Sequence, residues 1–378
     1  MPPPRLPLAG VRVIDLTRAL SGPFCTTLLA DLGADVVKVE SPRGDMIRSW
    51  GPFDGQTSLY DVSVNRNKRS VVLDLRSGSG MAALRELLST ADVLVENFRP
   101  GVLEDMGLAP EVLRRDFPSL VVTRVSGYGP VGPSSEDPSF DQIAQGMAGF
   151  MSVTGLGGQP TRAGVPIADL LTGMFAALGT TAALVGRRTD EPAPTVGVSL
   201  VESVLGVMTF HAQRFLSLGE SATPAGNEHP VIAPYGIFRC ADAQINIAAA
   251  TQAQWESLCR LLRLDELLDD PDYTDQTARL RNRRRLTELL PRLAAAGVPS
   301  GRVNDMQGVF EDPQVQALDV TGTVHHHALG EVRLLRGPIR LDGQLPGLRH
   351  PPPAIGEHTD EVLAEIRQHA TSTPKDDR

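Results

Sequence analysis

Cysteine is scarce in this chain of 378 residues, whose three cysteines, Cys25, Cys240 and Cys259, are widely spaced. No C-x-x-C pair occurs, so the pattern fits neither a disulfide framework nor a zinc site. No hydrophobic run approaches the roughly 20 residues that cross a bilayer, and the N-terminal segment carries no hydrophobic signal region. These absences predict a cytoplasmic protein in a reducing compartment, with no membrane partner.

Three widespread ligand-binding and catalytic motifs are also missing. The chain contains neither a G-x-x-x-x-G-K-[ST] phosphate loop nor a G-x-S-x-G nucleophile elbow. The glycine-rich segment 155–160 does not complete G-x-G-x-x-G, because Pro160 occupies the position of the third glycine. A nicotinamide or flavin cofactor is therefore unsupported, and no resident cofactor is predicted.

Two groups of potential ligand residues are interpreted as structural. His325, His326 and His327 are consecutive and so do not share a face, which favours a solvated loop over a metal site. The arginine-rich segment 279–285 is interpreted as the solvated face of a helix. Cys25 lies among apolar residues and is interpreted as a small buried hydrophobe. No metal is predicted.

Acidic residues outnumber basic ones, with 45 Asp and Glu against 36 Lys and Arg, so the formal net charge is −9. A protein of this charge does not favour nucleic acid or an anionic membrane surface as a general partner. An anionic ligand would have to be held by a local group of basic side chains.

Strand and helix patterns alternate through the first half of the chain. Apolar segments at 11–17, 35–40, 92–97 and 120–126 predict strands, and helical spacing is found between them. This alternation predicts an α/β fold with a Rossmann-like open parallel sheet, in which ligands bind at the carboxyl ends of the strands.

The length of the chain predicts two domains, because a single core rarely extends over so many residues. The composition shifts towards Gly, Pro and Ser around residues 219–234. We predict that residues 1–195 form the first part of a large domain and that 196–225 form a linker helix. Residues 226–325 are predicted to form a small α/β domain, and 326–378 to return to the large domain.

Cations and amides concentrate in the predicted loops at the strand ends of this sheet. They are Arg43, Arg48, Asn67, Lys68, Arg69, Asn97 and Arg99. In an acidic protein such a group suits a phosphate-bearing ligand. Scattered surface charges are the alternative, since their convergence in space is inferred from the sequence alone.

One carboxylate, Asp169, opens a long apolar run with helical spacing in the segment 163–179. It could simply cap the helix, because Asp is favoured at that position. Alternatively, it could lie in a pocket at the positive end of the helix, where it would stay ionised and act as a nucleophile.

Several segments together resemble the class III CoA-transferase family, which includes formyl-CoA and carnitine CoA-transferases and alpha-methylacyl-CoA racemase. They lie at 6–45, 65–75, 95–101, 125–130, 163–179, 233–240 and 351–363. The resemblance covers nearly the whole chain. It implies a large Rossmann-like domain, a small domain and an interlocked homodimer in which each chain threads through the ring of the other.

The resemblance also implies roles for individual residues, with an acyl-CoA and a carboxylic acid as partners. Asp169 corresponds to the catalytic aspartate of the transferases. The positions that contact CoA correspond to Leu20, Ser21, Leu73, Arg76, Asn97, Phe98 and Arg99, and Arg43 and Tyr128 lie in motifs beside them. Asp105 and Pro138 stand where the family has basic residues, so part of the nucleotide contact differs here.

The implied reaction moves CoA from an acyl-CoA to a carboxylic acid through an aspartyl anhydride and an aspartyl-CoA thioester. The motifs are nearest to those of succinyl-CoA-dependent transferases that act on dicarboxylates. Racemases of the family carry a histidine and a glutamate where this chain has Phe140 and Gln252, so two-base racemisation is disfavoured. A 2-methylacyl-CoA racemase or epimerase and a non-catalytic CoA-binding scaffold remain the alternatives.

Overall fold

The computed structural model describes residues 6–239, 244–289 and 300–372, so Cys240 lies outside the described residues. The chain divides into two compact units. The larger unit takes its residues from Met1–Phe150, Ala163–Ser217 and Asp319–Arg378, and the smaller from Met151–Arg162 and Leu218–Leu318.

These bounds differ from the predicted ones in three places. Residues 196–217, predicted to belong to a linker, are part of the larger unit, and residues 151–162 are part of the smaller one. The smaller unit ends at residue 318, so residues 319–325 belong to the larger unit and not to the small domain as predicted.

A parallel six-stranded sheet organises the larger unit. Its strands, in chain order, are β1 (Arg12–Asp15), β2 (Asp35–Glu40), β3 (Lys68–Val72), β4 (Val93–Glu96), β5 (Val121–Ser126) and β6 (Thr195–Ser199). The spatial order is 3-2-1-4-5-6, and every neighbouring pair is parallel. This is the doubly wound order of Rossmann-like folds, whose ligand crevice opens where the order reverses, between β1 and β4. The predicted α/β sheet is therefore confirmed.

Helices cover both faces of this sheet. Those that pack on it include α1 (Ser21–Asp31) and α8 (Ile167–Gly186) on one face and α3 (Gly78–Ser89), α4 (Val102–Asp105), α5 (Pro110–Asp116) and α16 (Thr359–Ser372) on the other. The larger unit also contains α2 (Leu59–Val64), α6 (Asp141–Met147), α9 (Leu200–Val207) and most of α10 (Thr209–Leu218). A short helix, α7 (Phe150–Val153), stands at the boundary of the two units.

Two hydrophobic cores result, because neighbouring strand residues point to opposite faces. Ile14 and Leu94 pack with residues of α3, α4 and α16 on one face, whereas Val13 and Val93 pack with residues of α1 and α8 on the other. Cys25 belongs to the second core, fully buried as predicted, and burial raises the pKa of its thiol well above the ordinary range.

The smaller unit has an antiparallel three-stranded sheet with its own core. Its strands are β7 (Tyr235–Arg239), β8 (Gln244–Ala248) and β9 (Ser300–Arg302), in the order β9-β8-β7. Its helices are α11 (Gln252–Leu262), α12 (Gln276–Arg281), α13 (Arg283–Leu289), α14 (Met306–Glu311) and α15 (Pro313–Ala317). Trp255, Cys259 and Tyr273 are buried at its centre.

The interpretation of segment 279–285 as a wholly solvated face was wrong for its first residue. Arg279 is 1% exposed and lies over the ring of Trp255. Its guanidinium donates hydrogen bonds to the carbonyl oxygens of Ala233 and Tyr273 and to the side-chain oxygen of Gln252. These oxygens satisfy the buried cation, so no water is needed around it.

The histidines at 325–327 do not form a loop. A hairpin of β10 (Thr321–His326) and β11 (Gly330–Leu335) contains two of them, and it forms a separate antiparallel sheet. His326 is 1% exposed, and its Nδ1 accepts the N–H groups of Ala328 and Leu329, which closes the turn. Within the part of the chain that is described, no group of three His, Cys, Asp or Glu side chains could hold a metal ion.

Among the described residues, α8 is long and apolar enough to cross a membrane by length and composition. The expectation that no run of this length exists is therefore corrected. The core helix of a folded domain can pass the same test. One side of α8 does pack in the core, where Ala176 and Ala177 lie with Cys25 and Leu29 of α1.

The contact of α8 with α1 depends on Gly173. A Cβ atom at this position would lie 2.7 Å from the carbonyl oxygen of Ser21 and 3.2 Å from the amide nitrogen of Cys25. Both are backbone atoms at the start of α1 and cannot move aside singly. The missing side chain therefore allows the two backbones to approach each other.

We predict that Gly173→Ala destabilises the protein by about 2 kcal/mol, because the added methyl group forces the helices apart. Gly186, at the end of the same helix, has no atom near its virtual Cβ and is exposed. Gly186→Ala is therefore the matched control and should leave the stability unchanged or slightly higher. Urea unfolding of both variants measures the difference, and equal midpoints would contradict the close-contact argument.

Candidate active site

The candidate site lies at the carboxyl end of β1, beside the point where the strand order reverses. Leu20 and Ser21 lie at the end of the loop that joins this strand to α1, and both are buried. Leu20 packs with Ile47 and Val64, and Tyr60 and Leu170 cover this group from the side. Leu20, a predicted CoA-contacting residue, thus belongs to an apolar cluster at the edge where ligands of this fold bind, and the polar Ser21 lies next to it in the chain.

Asn97 and Phe98 lie at the carboxyl end of β4, next to the β1 loop. The Asn97 side chain accepts the N–H of Arg18 at 2.9 Å and donates to the Arg18 carbonyl at 2.8 Å. The Arg18 guanidinium lies 5.1 Å from the centre of the Phe98 ring. Sequence reasoning did not select Arg18, although an arginine between a strand and a helix at this edge was a usable signal.

The remaining predicted CoA-contacting residues follow other strands at the same edge. Arg43 follows β2, Leu73 and Arg76 follow β3, Arg99 follows β4 and Tyr128 follows β5. The three arginines are exposed, Leu73 is buried and Tyr128 is half-buried. Together with Arg18, these residues make four exposed arginines at the carboxyl edge of the sheet, in a protein that is acidic as a whole.

Four residues of the predicted phosphate-binding group belong to ion-paired and hydrogen-bonded structure instead. Arg48 pairs with Glu40 and Asp61, whereas Lys68, fully buried, pairs with Asp15. Arg69 pairs with Asp35, Glu361 and Glu365. The side-chain amide of Asn67 donates a hydrogen bond to Asp31 and accepts the backbone N–H groups of residues 349 and 350. Asn67 and Arg69 precede or begin their strand, so they lie towards the edge opposite the ligand-binding one.

Asp169 lies in the first turn of α8, but the cap of this helix comes from another residue. Pro166 stands at the N-cap and offers no side-chain acceptor. Asp141, at the start of α6, accepts the N–H of Ala168 at 2.8 Å and that of Asp169 at 3.4 Å. The Asp169 carboxylate is therefore not used as the cap, which removes the first of the two sequence interpretations.

Gln145 holds Asp141 in this position from one turn further along α6. Its amide nitrogen donates to the second carboxylate oxygen of Asp141 at 2.6 Å, and its amide oxygen accepts the N–H of Ala163 at 2.9 Å. Gln145 is fully buried. Sequence reasoning missed both residues, because a cap supplied 28 positions away leaves no local signal.

The environment of Asp169 favours its neutral form. Burial, followed by the charge of Asp141, raises the pKa of Asp169 from its ordinary 3.8 to about 7, against a lowering by a hydrogen bond from the Ser21 hydroxyl. Burial and the charges of Asp169 and Asp141 also raise the pKa of Tyr60. The expectation that the helix terminus keeps Asp169 fully ionised was thus wrong, since Asp141 already occupies the terminal N–H groups.

The fold and the site together define a class of protein. A doubly wound α/β unit presents one half-buried carboxylate beside a switch point that is lined with arginines. This arrangement is typical of an enzyme that binds a phosphate-bearing ligand and uses a carboxylate as its reactive group.

Comparison with known proteins identifies the family. The chain belongs to CoA-transferase family III, which matches residues 8–359, and it is a class III CoA-transferase. It is 35% identical to the succinyl-CoA:glutarate CoA-transferase of Mus musculus, over 96% of this chain and 87% of that protein. It is 36% identical to the succinyl-CoA:mesaconate CoA-transferase of Haloarcula hispanica, over 95% of this chain and 96% of that protein. The predicted family is thereby confirmed.

A solved structure shares the fold. The crystal structure of a CAIB/BAIF family protein from Brucella suis superimposes with a TM-score of 0.84 at 34% identity, covering 96% of this chain and the whole of that one.

The raised pKa of Asp169 makes a prediction about stability. In the unfolded chain this carboxyl loses its proton near pH 4, but in the folded protein it keeps it up to about pH 7. The stability that the bound proton contributes is therefore complete below pH 4 and is lost as the pH rises to 7. Relative to wild type, Asp169→Asn should gain stability over this interval, on the order of 2 kcal/mol at pH 8 after allowance for solvent access.

The measurement is the free energy of unfolding of both proteins in urea at pH 5 and at pH 8. Asp74→Asn is the control, because this aspartate is exposed. An Asp169→Asn advantage that is the same at both pH values would contradict the raised pKa.

Proposed function

We propose that this enzyme transfers CoA from succinyl-CoA to a dicarboxylic acid, with Asp169 as the nucleophile. The observation that carries the proposal is that the Asp169 carboxylate is not used to cap its own helix. It lies in the first turn of α8, it does not cap the helix, and the Ser21 hydroxyl bonds to it at the ligand-binding edge. A carboxylate held in this way can form covalent acyl intermediates.

The first half of the proposed reaction releases the acid of the donor. A carboxylate oxygen of Asp169 attacks the thioester carbonyl, the carbon–sulfur bond breaks, and a mixed anhydride and the CoA thiolate result. The thiolate then attacks the aspartyl carbonyl of the anhydride, and the donor acid leaves as a carboxylate. The enzyme now carries CoA as a thioester on Asp169.

The second half runs the same steps in reverse with the acceptor. The acceptor carboxylate attacks the aspartyl thioester and expels the thiolate, which forms a second anhydride. The thiolate then attacks the acceptor carbonyl of this anhydride, which yields the new acyl-CoA and frees the Asp169 carboxylate. No proton is taken up or released overall, so the reaction needs no separate acid or base.

The raised pKa of Asp169 fits this role. With a pKa of about 7, a substantial share of the enzyme carries the nucleophilic carboxylate at neutral pH. A carboxylate that is partly withdrawn from water is also more reactive than a fully solvated one. Asp141 accepts the N–H groups of Ala168 and Asp169 in the first turn of α8. Because these groups are not directed at the Asp169 carboxylate, they do not stabilise its charge and so do not make it a weaker nucleophile.

The residues at the carboxyl edge would bind the CoA portion of both substrates. Leu20 and Leu73 offer apolar contacts, and the Arg18 guanidinium over Phe98 leaves its N–H groups available to a phosphate. Arg43, Arg76 and Arg99 are exposed around them and would contribute to phosphate binding.

Succinyl-CoA and a dicarboxylic acceptor are supported by the relatives. Two of them are named for succinyl-CoA as donor, with glutarate and mesaconate as acceptors. Both acceptors are dicarboxylates of four or five backbone carbons. We therefore place the acceptor of this enzyme in the same chemical class.

We predict that the purified enzyme, given succinyl-CoA and a mixture of mono- and dicarboxylic acids in D₂O, forms new CoA esters of dicarboxylic acids only. Asp169→Asn should lower the rate at least about 10⁴-fold, because the nucleophile is lost. Mass spectrometry of the CoA esters measures both results, and circular dichroism checks that the variant is folded.

Asp269→Asn is the control and should transfer CoA at the wild-type rate, because Asp269 is exposed and belongs to the smaller unit, outside the proposed site. Transfer by Asp169→Asn at the wild-type rate would remove this residue from the mechanism. A one-dalton gain on an existing ester without new esters would show α-proton exchange and support the racemase alternative.

The proposal includes a homodimer. Exposed apolar side chains recur on three helices of the larger unit. They are Ile143 and Met147 on α6, Leu178 and Val185 on α8, and Phe215 and Leu216 on α10. Patches of this kind are usually covered by a partner in solution, and the family resemblance implies a second copy of the chain.

We predict a particle of twice the chain mass in light scattering. Replacing Phe215 and Leu216 together by aspartate should shift it towards the monomer, because two charges would then be buried in the interface. The control is Ile339→Asp, an exposed apolar position on none of these helices. A monomeric wild type at micromolar concentration would refute the dimer.

A further inference from the structure

The loop between β1 and α1 has an unusual backbone. Ala19 has a φ of 63°, in the left-handed region that residues other than glycine seldom adopt. A residue held in this region costs on the order of 1 kcal/mol and persists only when its surroundings fix it. The loop carries Arg18, Leu20 and Ser21 to the proposed site, so whatever fixes it also sets the geometry of the site.

Side chains from four places hold nearly every polar backbone group of this loop. The Thr17 N–H is bonded to Asp15, and the Thr17 carbonyl accepts from Lys38 Nζ at 3.0 Å. Asn97 takes both the N–H and the carbonyl of residue 18, as described above. The Ala19 N–H donates to Asp45 at 3.1 Å.

Two of these groups form one buried ion pair. Lys38 Nζ and the Asp45 carboxylate are 2.9 Å apart, and their side chains are 0% and 1% exposed. Burial opposes the charge on Lys38, but the carboxylates of Asp45, Asp15 and Glu40 outweigh this effect and raise its pKa. Lys38 therefore keeps its charge and its bond to the Asp45 carboxylate.

Both members of the Lys38–Asp45 pair also form hydrogen bonds with the backbone of the loop. One oxygen of Asp45 binds Lys38, and the other accepts the N–H groups of Ala19 and Ile47. Lys38 binds the loop directly as well, through the Thr17 carbonyl. The pair thus contacts the backbone on both sides of Arg18, although neither side chain reaches the solvent.

We infer that the buried Lys38–Asp45 pair is a positioning element for CoA transfer, which fixes the left-handed turn at Ala19 and so places Ser21 against Asp169. The inference rests on the proposed function for its kinetic consequences. Neither residue touches the substrate in this assignment. Their contribution is to hold the nucleophile and the CoA-contacting loop in register, where displacements of about 1 Å can cost a hundredfold in rate.

The test compares two substitutions of the same side chain. Asp45→Ala removes the acceptor of the Ala19 N–H, whereas Asp45→Asn removes the charge and keeps an oxygen acceptor in the same place. We expect Asp45→Ala to lower kcat/KM for the acyl-CoA about 100-fold and Asp45→Asn to retain most of the activity. The apparent pKa of kcat/KM should rise in Asp45→Ala, because the Ser21 hydrogen bond that lowers the Asp169 pKa is lost.

Arg66→Met is the matched control. Arg66 forms a buried ion pair with Asp31 at 2.6 Å, in the same unit but at the far end of α1. Its loss should lower the thermal midpoint and leave kcat/KM and its pH profile within about twofold of wild type. If Arg66→Met reduced kcat/KM and shifted the profile as Asp45→Ala does, a general loss of stability would explain both, and the positioning role would be overturned.

Hydrogen exchange of the wild-type enzyme provides a test that needs no variant to fold. The amides of residues 17–19 should be protected in the free protein, because each is bonded to a side chain. Rapid exchange there would overturn the inference. A wild type that protects these amides but transfers no CoA would instead contradict the proposed function and leave the loop assignment standing.

Discussion

The cap that Asp141 places on α8 is the interaction on which the candidate site depends. A helix N-terminus needs acceptors for its free N–H groups, and the side chain of the N-cap residue usually supplies one. Here a residue of another helix supplies that acceptor. The Asp169 carboxylate is consequently not needed as a cap, and burial together with the negative charge of Asp141 raises its pKa towards neutrality.

The Asp169 site also depends on how closely the backbones of α1 and α8 approach. Gly173 lies one turn after Asp169 and contacts the carbonyl of Ser21, the residue whose hydroxyl bonds the Asp169 carboxylate. The same glycine therefore closes the hydrophobic core and sets the distance between two site residues. Stability and chemistry are coupled here, because a change in helix packing would separate the hydroxyl from the carboxylate.

Sequence patterns predicted the elements of the sheet and most residues at its carboxyl edge, since strand periodicity and loop positions are local properties. They failed where a partner is distant in sequence. Asn67, Lys68 and Arg69 were placed with the ligand. Arg69, however, pairs with Asp35 and with Glu361 and Glu365, which come much later in the chain. Arg279 looked solvated, yet the carbonyl oxygen of Ala233, 46 positions earlier, is one of the groups that satisfy it.

One consequence concerns the way in which charge is distributed in this acidic protein. Among the described residues, the most deeply buried cations are Lys38, Lys68 and Arg279, and these bond to groups inside the protein, whereas Arg18 and three other arginines remain exposed at the edge of the sheet. A buried ion pair gives little net stability, because desolvation cancels much of the attraction, but it does fix geometry. The exposed arginines are available to an anionic ligand. Buried charge in this fold therefore determines the shape of the loops, and exposed charge determines what those loops can bind.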